Sequence, residues 1–210
     1  MTREIEKRPY RMTKRAEQQD ETRRRIVESA VALHEALGPA RTPMSAVAEH
    51  AGVRRSTLYR HFPDEAALFA ACTAHWAADH PVPDVGRWRQ IDDPEVRLRT
   101  ALAEQYAFYE RAAGMMVSVF RDEADSGVAR QLGLYRQYLA GAAEVLMAGR
   151  PERGRARRRA RAAVGHALAF WTWHSLVSDQ GLATDEAIEL MCALVEASGP
   201  RHAAPAHASP

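Results

Sequence analysis

Between Val53 and Phe62 the chain places Arg54, Arg55, Ser56, Thr57, Tyr59, Arg60 and His61 in one short stretch without an acid. Guanidinium, hydroxyl and imidazole donors so spaced suit phosphate oxygens and base edges, because no carboxylate is there to repel a polyanion. Arginine is also the side chain that reads guanine O6 and N7 bidentately. Other reactive groups form weaker sets. Cys72, His75 and Asp79 share one helical face, with His80 adjacent, but no second ligand cluster accompanies them. That spacing predicts a packed helix end, with no metal and no cofactor. His34-Glu35 lacks the second histidine of a zinc-hydrolase helix, and the chain has neither a phosphate-cradling glycine loop nor a nucleophile elbow. No spacing joins serine, histidine and aspartate into a catalytic set, so no enzymatic activity is expected.

The elements that must position the basic stretch are helical. Ile26, Ala30, Leu33 and Leu37 recur at helical spacing and stop at Gly38-Pro39. Thr42-Pro43 predicts a side-chain cap with proline at the first helical position, followed by Met44, Val47, Ala48 and Ala51 on one face. Ala51-Gly52-Val53 is a tight turn, and Val53, Leu58 and Phe62 anchor the back of the next helix. The result has helix-turn-helix spacing, in which the first helix braces a second that enters a major groove. Asp64 caps a fourth helix, with Ala67, Leu68, Ala71 and Trp76 as its apolar set.

Ile26–Ala30, Thr42, Ala48–Gly52-Val53, Thr57-Leu58-Tyr59, His61-Phe62 and Leu68 together resemble the signature of the TetR family of repressors, over roughly residues 20–70. The resemblance implies an all-α protein: an N-terminal three-helix unit that binds double-stranded operator DNA, and a C-terminal helical domain that binds a small effector and forms a homodimer. It implies that Thr42 and Ser45 touch phosphate, that Arg55 and Ser56 face base edges, and that Thr57, Tyr59 and His61 hold the backbone. Arg54 stands where many members have a capping serine, and Glu65 where many have a lysine. The first exchange removes a cap but adds a charge; the second removes a phosphate contact.

Beyond His80 the pattern is again helical. His80 to Asp92 reads as a linker, Asp93-Pro94 caps a long helix that Gly114 is expected to interrupt, and Ser126-Gly127 precedes a run from Leu132 to Ala148. Arg155–Gln180 and Thr184–Ala197 are the last two helices expected. The domains are therefore a flexible basic arm over 1–19, a DNA-binding domain over 20–79, a ligand-binding and dimerisation domain over 80–198, and a disordered tail over 199–210. Rings and thioethers crowd the third of these. Tyr106, Tyr109, Met116, Phe120, Tyr138, Phe170, Trp171 and His174 are the candidate effector-binding residues, an apolar pocket with a few polar tips that suits a flat, apolar or aromatic ligand. The helix Val164–Val177 is apolar on nearly every side and the last helix carries a wide apolar stripe, so Trp173, Val177, Ile188, Met191, Leu194 and Val195 are expected to pair two copies in a four-helix interface.

Composition bounds the rest. At 210 residues, 46% hydrophobic and 27% charged, the chain is of ordinary globular usage. Two cysteines make no disulfide framework and suit a reducing cytoplasm. The N-terminus has no apolar stretch of a secretory signal. Ala162 to Ser178 carries no charge, but it is short of a membrane span and holds His166, Thr172, His174, Ser175 and Ser178. The net charge of +2 hides blocks of +5 over residues 1–63, −5 over 64–149, +6 over 150–161 and −4 over 162–210. A basic front suits a polyanion. The Arg150–Arg161 run reads as a solvated helix end, while the N-terminal arm suits either an adjacent minor groove or a solubilising tail.

Overall fold

The computed structural model describes residues 7–124 and 126–198, with side chains from Lys14 onward except that of Ser126. All regular structure among them is helical. The chain divides into two compact units, one of residues up to His80 with Val117–Arg130, the other of Pro81–Met116 with the chain from Gln131 onward.

In the first unit α1 (Lys7–Leu37), α2 (Met44–His50), α3 (Arg55–His61) and α4 (Glu65–Asp79) enclose a core of Ile26, Val27, Ala30, Met44, Val47, Ala48, Leu58, Phe62, Leu68 and Cys72. Of the expected basic arm, residues 7–19 are helical and continue α1; Pro9 falls in the first turn, where its missing N–H has no helical partner to lose. Residues 1–6 and the expected tail over 199–210 lie outside the described residues. Thr42 does not cap α2. Pro43 occupies the cap position, and the Thr42 hydroxyl donates back to the Gly38 carbonyl at 2.8 Å, closing the 3-10 turn Pro39–Arg41. Leu37 is exposed, because the chain turns away at Gly38. Asp64 caps α4 as expected, accepting from the Ala67 amide at 2.7 Å.

The ends of two later helices complete this unit. α6 (Pro94–Arg121) runs through Gly114 without a break, since a lone glycine costs about 1 kcal/mol and the burial of Ala112, Met115 and Met116 around it outweighs that. Its last turns hold the end of α1: Ser118 donates to the Glu35 carbonyl at 2.8 Å and Arg121 to the Leu37 carbonyl at 2.7 Å. The buried Asp122 carboxylate accepts from the Ala40 amide at 3.1 Å. Gly38 has φ +95°, and a Cβ there would collide with that carboxylate, so glycine is required twice over. α7 (Ser126–Met147) starts one turn and a half before the expected Leu132.

The second unit contains α5 (Val85–Trp88), a short turn inside the expected linker that is fixed by the fully buried Trp88, whose indole N–H donates to Glu104 at 2.8 Å. Asp93 caps α6 through the amides of Glu95 and Val96. Arg97, also buried, donates to the carbonyls of Val145 and Ala148 and so caps the end of α7.

The expected helix Arg155–Gln180 is three pieces: α8 (Gly154–Ala167), α9 (Phe170–Trp173) and a π-helical turn His174–Asp179. At the break, Tyr106 donates to the Ala167 carbonyl at 3.0 Å and Tyr109 to the Leu168 carbonyl at 2.6 Å. These hydroxyls satisfy carbonyls that a continuous helix would have paired. α10 spans Thr184–Ala197, as the periodicity predicts. In the Arg150–Arg161 run, Arg150 is buried against Glu152 and Arg161 pairs with Glu144, while Arg155, Arg158 and Arg159 are exposed. Among the described residues no helix is long and apolar enough to cross a membrane.

Candidate nucleic-acid interface

The turn between α2 and α3 is set by one glycine. Gly52 has φ +63°, its amide donates to the Glu49 carbonyl at 3.0 Å and the Val53 amide to the Ala48 carbonyl at 2.9 Å. This pair of bonds is a Schellman closure, which needs the left-handed conformation at its centre. It delivers α3 with Leu58 and the following Phe62 buried in the core. The opposite face then points outward. Arg54, Arg55, Ser56, Tyr59 and Arg60 are exposed, and Thr57 and His61 are half-buried. All seven candidate residues from Arg54 to His61 are thus brought to one short helix and its first flanking residue. Arg54 stands at the cap position in an extended conformation and provides no capping side-chain bond, so the start of α3 keeps unpaired amides. Thr42 and Ser45 are half-buried around the start of α2. Glu65 is exposed in the first turn of α4, where it adds a negative charge.

One positioning residue escapes sequence reasoning. Arg23 of α1 lies 4.3 Å above the Phe62 ring and donates to the His61 carbonyl at 3.2 Å, stapling the end of α3 to α1. Thirty-eight residues separate it from His61, and no local pattern carries that pairing. Burial, with the Arg60 and Arg23 guanidiniums beside it, holds His61 below the ordinary histidine range. Its Nε2 is shielded and has no partner among the described residues. A neutral imidazole there has a ring nitrogen still to be paired.

Cys72 faces the core and its thiol donates to the Val27 carbonyl at 3.9 Å; burial pushes it up to about 12. Among the described residues no group of three histidine, cysteine, aspartate or glutamate side chains is arranged to hold a metal.

The candidate effector residues are dispersed differently from the expectation. Tyr106, Tyr109 and Phe170 are fully or almost fully buried, and Phe120 belongs to the first unit. Phe170 lies 5.3 Å from Tyr109, 5.0 Å from Trp171 and 5.7 Å from His174, in edge-on and tilted contacts that make one ring cluster. His174 faces Asp179 at 3.4 Å, and Trp171 is 48% exposed. The tyrosine tips are already paired. Gln105, unforeseen, donates to Tyr135 at 3.1 Å, Tyr135 donates to Tyr109 at 2.7 Å, and Tyr138 donates to the Pro83 carbonyl at 3.0 Å. Burial raises all four tyrosine hydroxyls above their ordinary range, so they remain neutral donors.

The candidate interface residues divide as well. Trp173, Ile188, Met191 and Val195 are buried within their own chain and Val177 is half-buried; only Leu194 is exposed, at 40%. A wide apolar stripe does not reveal which part of it the chain's own core takes; α10 packs against α8 and buries Ile188, Met191 and Val195. The outward side of α10 carries Leu190, Ala193, Leu194 and Ala197 together with the exposed Glu186, Glu189 and Glu196.

Residues 26–72 match the family model of bacterial regulatory proteins, tetR family, so the first unit carries a TetR-type DNA-binding helix-turn-helix. A TetR-like transcriptional regulator from a Rhodococcus species superposes with a TM-score of 0.62 at 20% identity, over 83% of this chain and 93% of that one. A fatty acid degradation regulator from Bacillus halodurans does so at 0.56 and 16% identity, over 82% and 93%. At such identities the likeness shows the fold. No protein of curated function matches the sequence.

Proposed function

We propose that this chain, which has the fold of a TetR-family transcriptional regulator, is a ligand-responsive repressor that binds a near-palindromic operator as a homodimer and has no enzymatic activity. The acid-free outward face of α3 carries the reading: Arg54, Arg55 and Arg60 stand exposed with no carboxylate partner among the described residues. Arg55 and Ser56 read base edges, while Thr42, Ser45, Thr57, Tyr59 and His61 hold phosphates. The second copy comes through α10, whose exposed Leu190, Ala193, Leu194 and Ala197 form an apolar stripe outward, bordered by Glu186, Glu189 and Glu196. Two α3 helices related by a two-fold axis need half-sites one or more helical turns apart. The protein works in the cytoplasm, where free cysteines such as Cys72 and Cys192 persist, and no membrane partner is involved.

The effector is a small apolar or aromatic molecule taken up by the ring cluster of the second unit. A ligand hydroxyl or carbonyl exchanges with one bond of the Gln105–Tyr135–Tyr109 chain while its body packs on Phe170, Trp171 and Met116. A second reading has a specific observation in its favour. The tyrosine tips already satisfy one another and the carbonyls of Ala167 and Leu168, as they would in a ligand-independent DNA-binding protein of this fold.

One experiment separates these readings. Purified protein is incubated with genomic fragments and the retained DNA sequenced, then apolar aromatics and lipophilic cations are screened for release of the complex. An inverted repeat among retained fragments with release by a compound supports the repressor. The repeat without release by any compound supports the second reading, and retention of no sequence in preference to random DNA overturns both.

A further inference from the structure

We propose that the duplex is held by a second phosphate-binding surface, the polar groove between the N-terminal part of α1 and the end of α3. This rests on the operator-binding reading above and extends it beyond the helix-turn-helix. The groove encloses about 260 Å³ and is lined by Arg15, Gln18, Gln19 and Thr22 of α1 with Arg60 and His61 of α3. Two arginines, two glutamines, a threonine and a histidine line it, and no acidic residue does. That is the donor set of a phosphodiester site. Because Arg60 and His61 also belong to the recognition helix, whatever fills the groove is continuous with whatever α3 reads.

The arginines of this region separate into engaged and free. Arg24 pairs with Glu21 and Glu28, both at 2.7 Å, and Arg23 is held by the Phe62 ring and the His61 carbonyl. Arg15 and Arg60 are exposed and have no carboxylate or carbonyl partner among the described residues. The His61 side chain belongs to the wall of the same groove.

The helix around Arg15 has no packing reason to exist. Residues 14–21 are all exposed, so this part of α1 contributes nothing to the core. A helix polar all round needs an external partner or internal ion pairs, and the engaged pairs begin only at Glu21. The α1 backbone continues to Lys7, and the sequence sets Lys14, Arg11, Arg8 and Lys7 ahead of Arg15, with Glu17 as the lone acid over residues 7–19. The partner is therefore a polyanion, and the one α3 already addresses is DNA.

The test is a salt titration of operator affinity, using the fragment retained from genomic DNA and a random duplex of equal length. Arg15→Ala is expected to weaken both complexes by the same roughly three- to tenfold factor at low salt and to reduce the salt slope by about one per protomer. Arg15→Lys should restore the slope, since a phosphate contact needs charge and not a planar fork. Arg24→Ala, which removes a cation already neutralised, should leave it unchanged. Arg15→Ala with wild-type affinity and slope on both duplexes overturns this inference alone; a wild-type protein that binds neither duplex overturns the operator reading and this one with it.

Discussion

Arg55 and Arg60 are chemically alike and five residues apart on α3, yet the two are expected to fail differently when removed. Arg55→Ala should cost about 1–3 kcal/mol and relax preference at one base position per half-site, measured by competition with point-substituted operators. Arg60→Ala should weaken operator and random DNA alike, as a phosphate contact does. His34 gives a pH prediction of its own. Burial lowers it to about 4, against a smaller opposing effect of Asp122. The unfolded chain binds its proton near pH 6.5 and the folded one does not until about 4, so stability falls as pH drops through that window, by roughly 3 kcal/mol in all. Urea unfolding at pH 7 and pH 4.5 should show the loss, and His34→Leu should diminish it. At this scale the recognition helix was legible, because its whole chemistry is local: seven donors, one turn glycine and no acid. Arg23 and Asp122 were not, since each acts on backbone groups far away in sequence, and single charged residues carry no sign of what they meet.

Helices were legible wherever a terminus is written in the adjacent residues. Asp64 and Asp93 cap where an aspartate before an apolar run should, and α10 has the predicted limits. The break after Ala167 has no such local sign: no proline occurs there, and Gly165 precedes it within α8. What permits it is the pair of tyrosine hydroxyls from α6 on the Ala167 and Leu168 carbonyls. Tyr109→Phe should therefore leave the Leu168 carbonyl without its donor and the Tyr135 O–H without its acceptor and cost about 1–3 kcal/mol by chemical denaturation. Loss of only a few tenths would mean that the break is held by packing of Phe170 and Trp173. The start of α1 is a second failure of the same kind in reverse. A basic polar segment read as a flexible arm is helical from Lys7, since no glycine falls within it and Pro9 sits in the first turn, where proline does not oppose a helix.

For the molecule as a whole, the consequential ambiguity lay in the last helices, where an excess of apolar side chains signals two buried faces without saying which is which. The chain resolves it by turning Ile188, Met191 and Val195 inward and leaving Leu190 and Leu194 exposed at 47% and 40%, with Trp171 at 48% in the same unit. This makes a dimerisation test cleaner than a core substitution could. Leu194→Glu puts a charge where a single copy meets water, so the isolated chain should keep its helicity and its melting behaviour within about 0.5 kcal/mol. In a symmetric pair the same charge is buried twice, and neither copy has a residue placed to neutralise it among Leu190, Ala193 and Ala197. Sedimentation should then show a monomer at concentrations where the wild type is a dimer. Operator affinity should collapse toward that of a single half-site although α3 lies in the other unit and is untouched. Leu194→Glu that still sediments as a dimer and binds operator as tightly as the wild type would place the interface on another face of the protein.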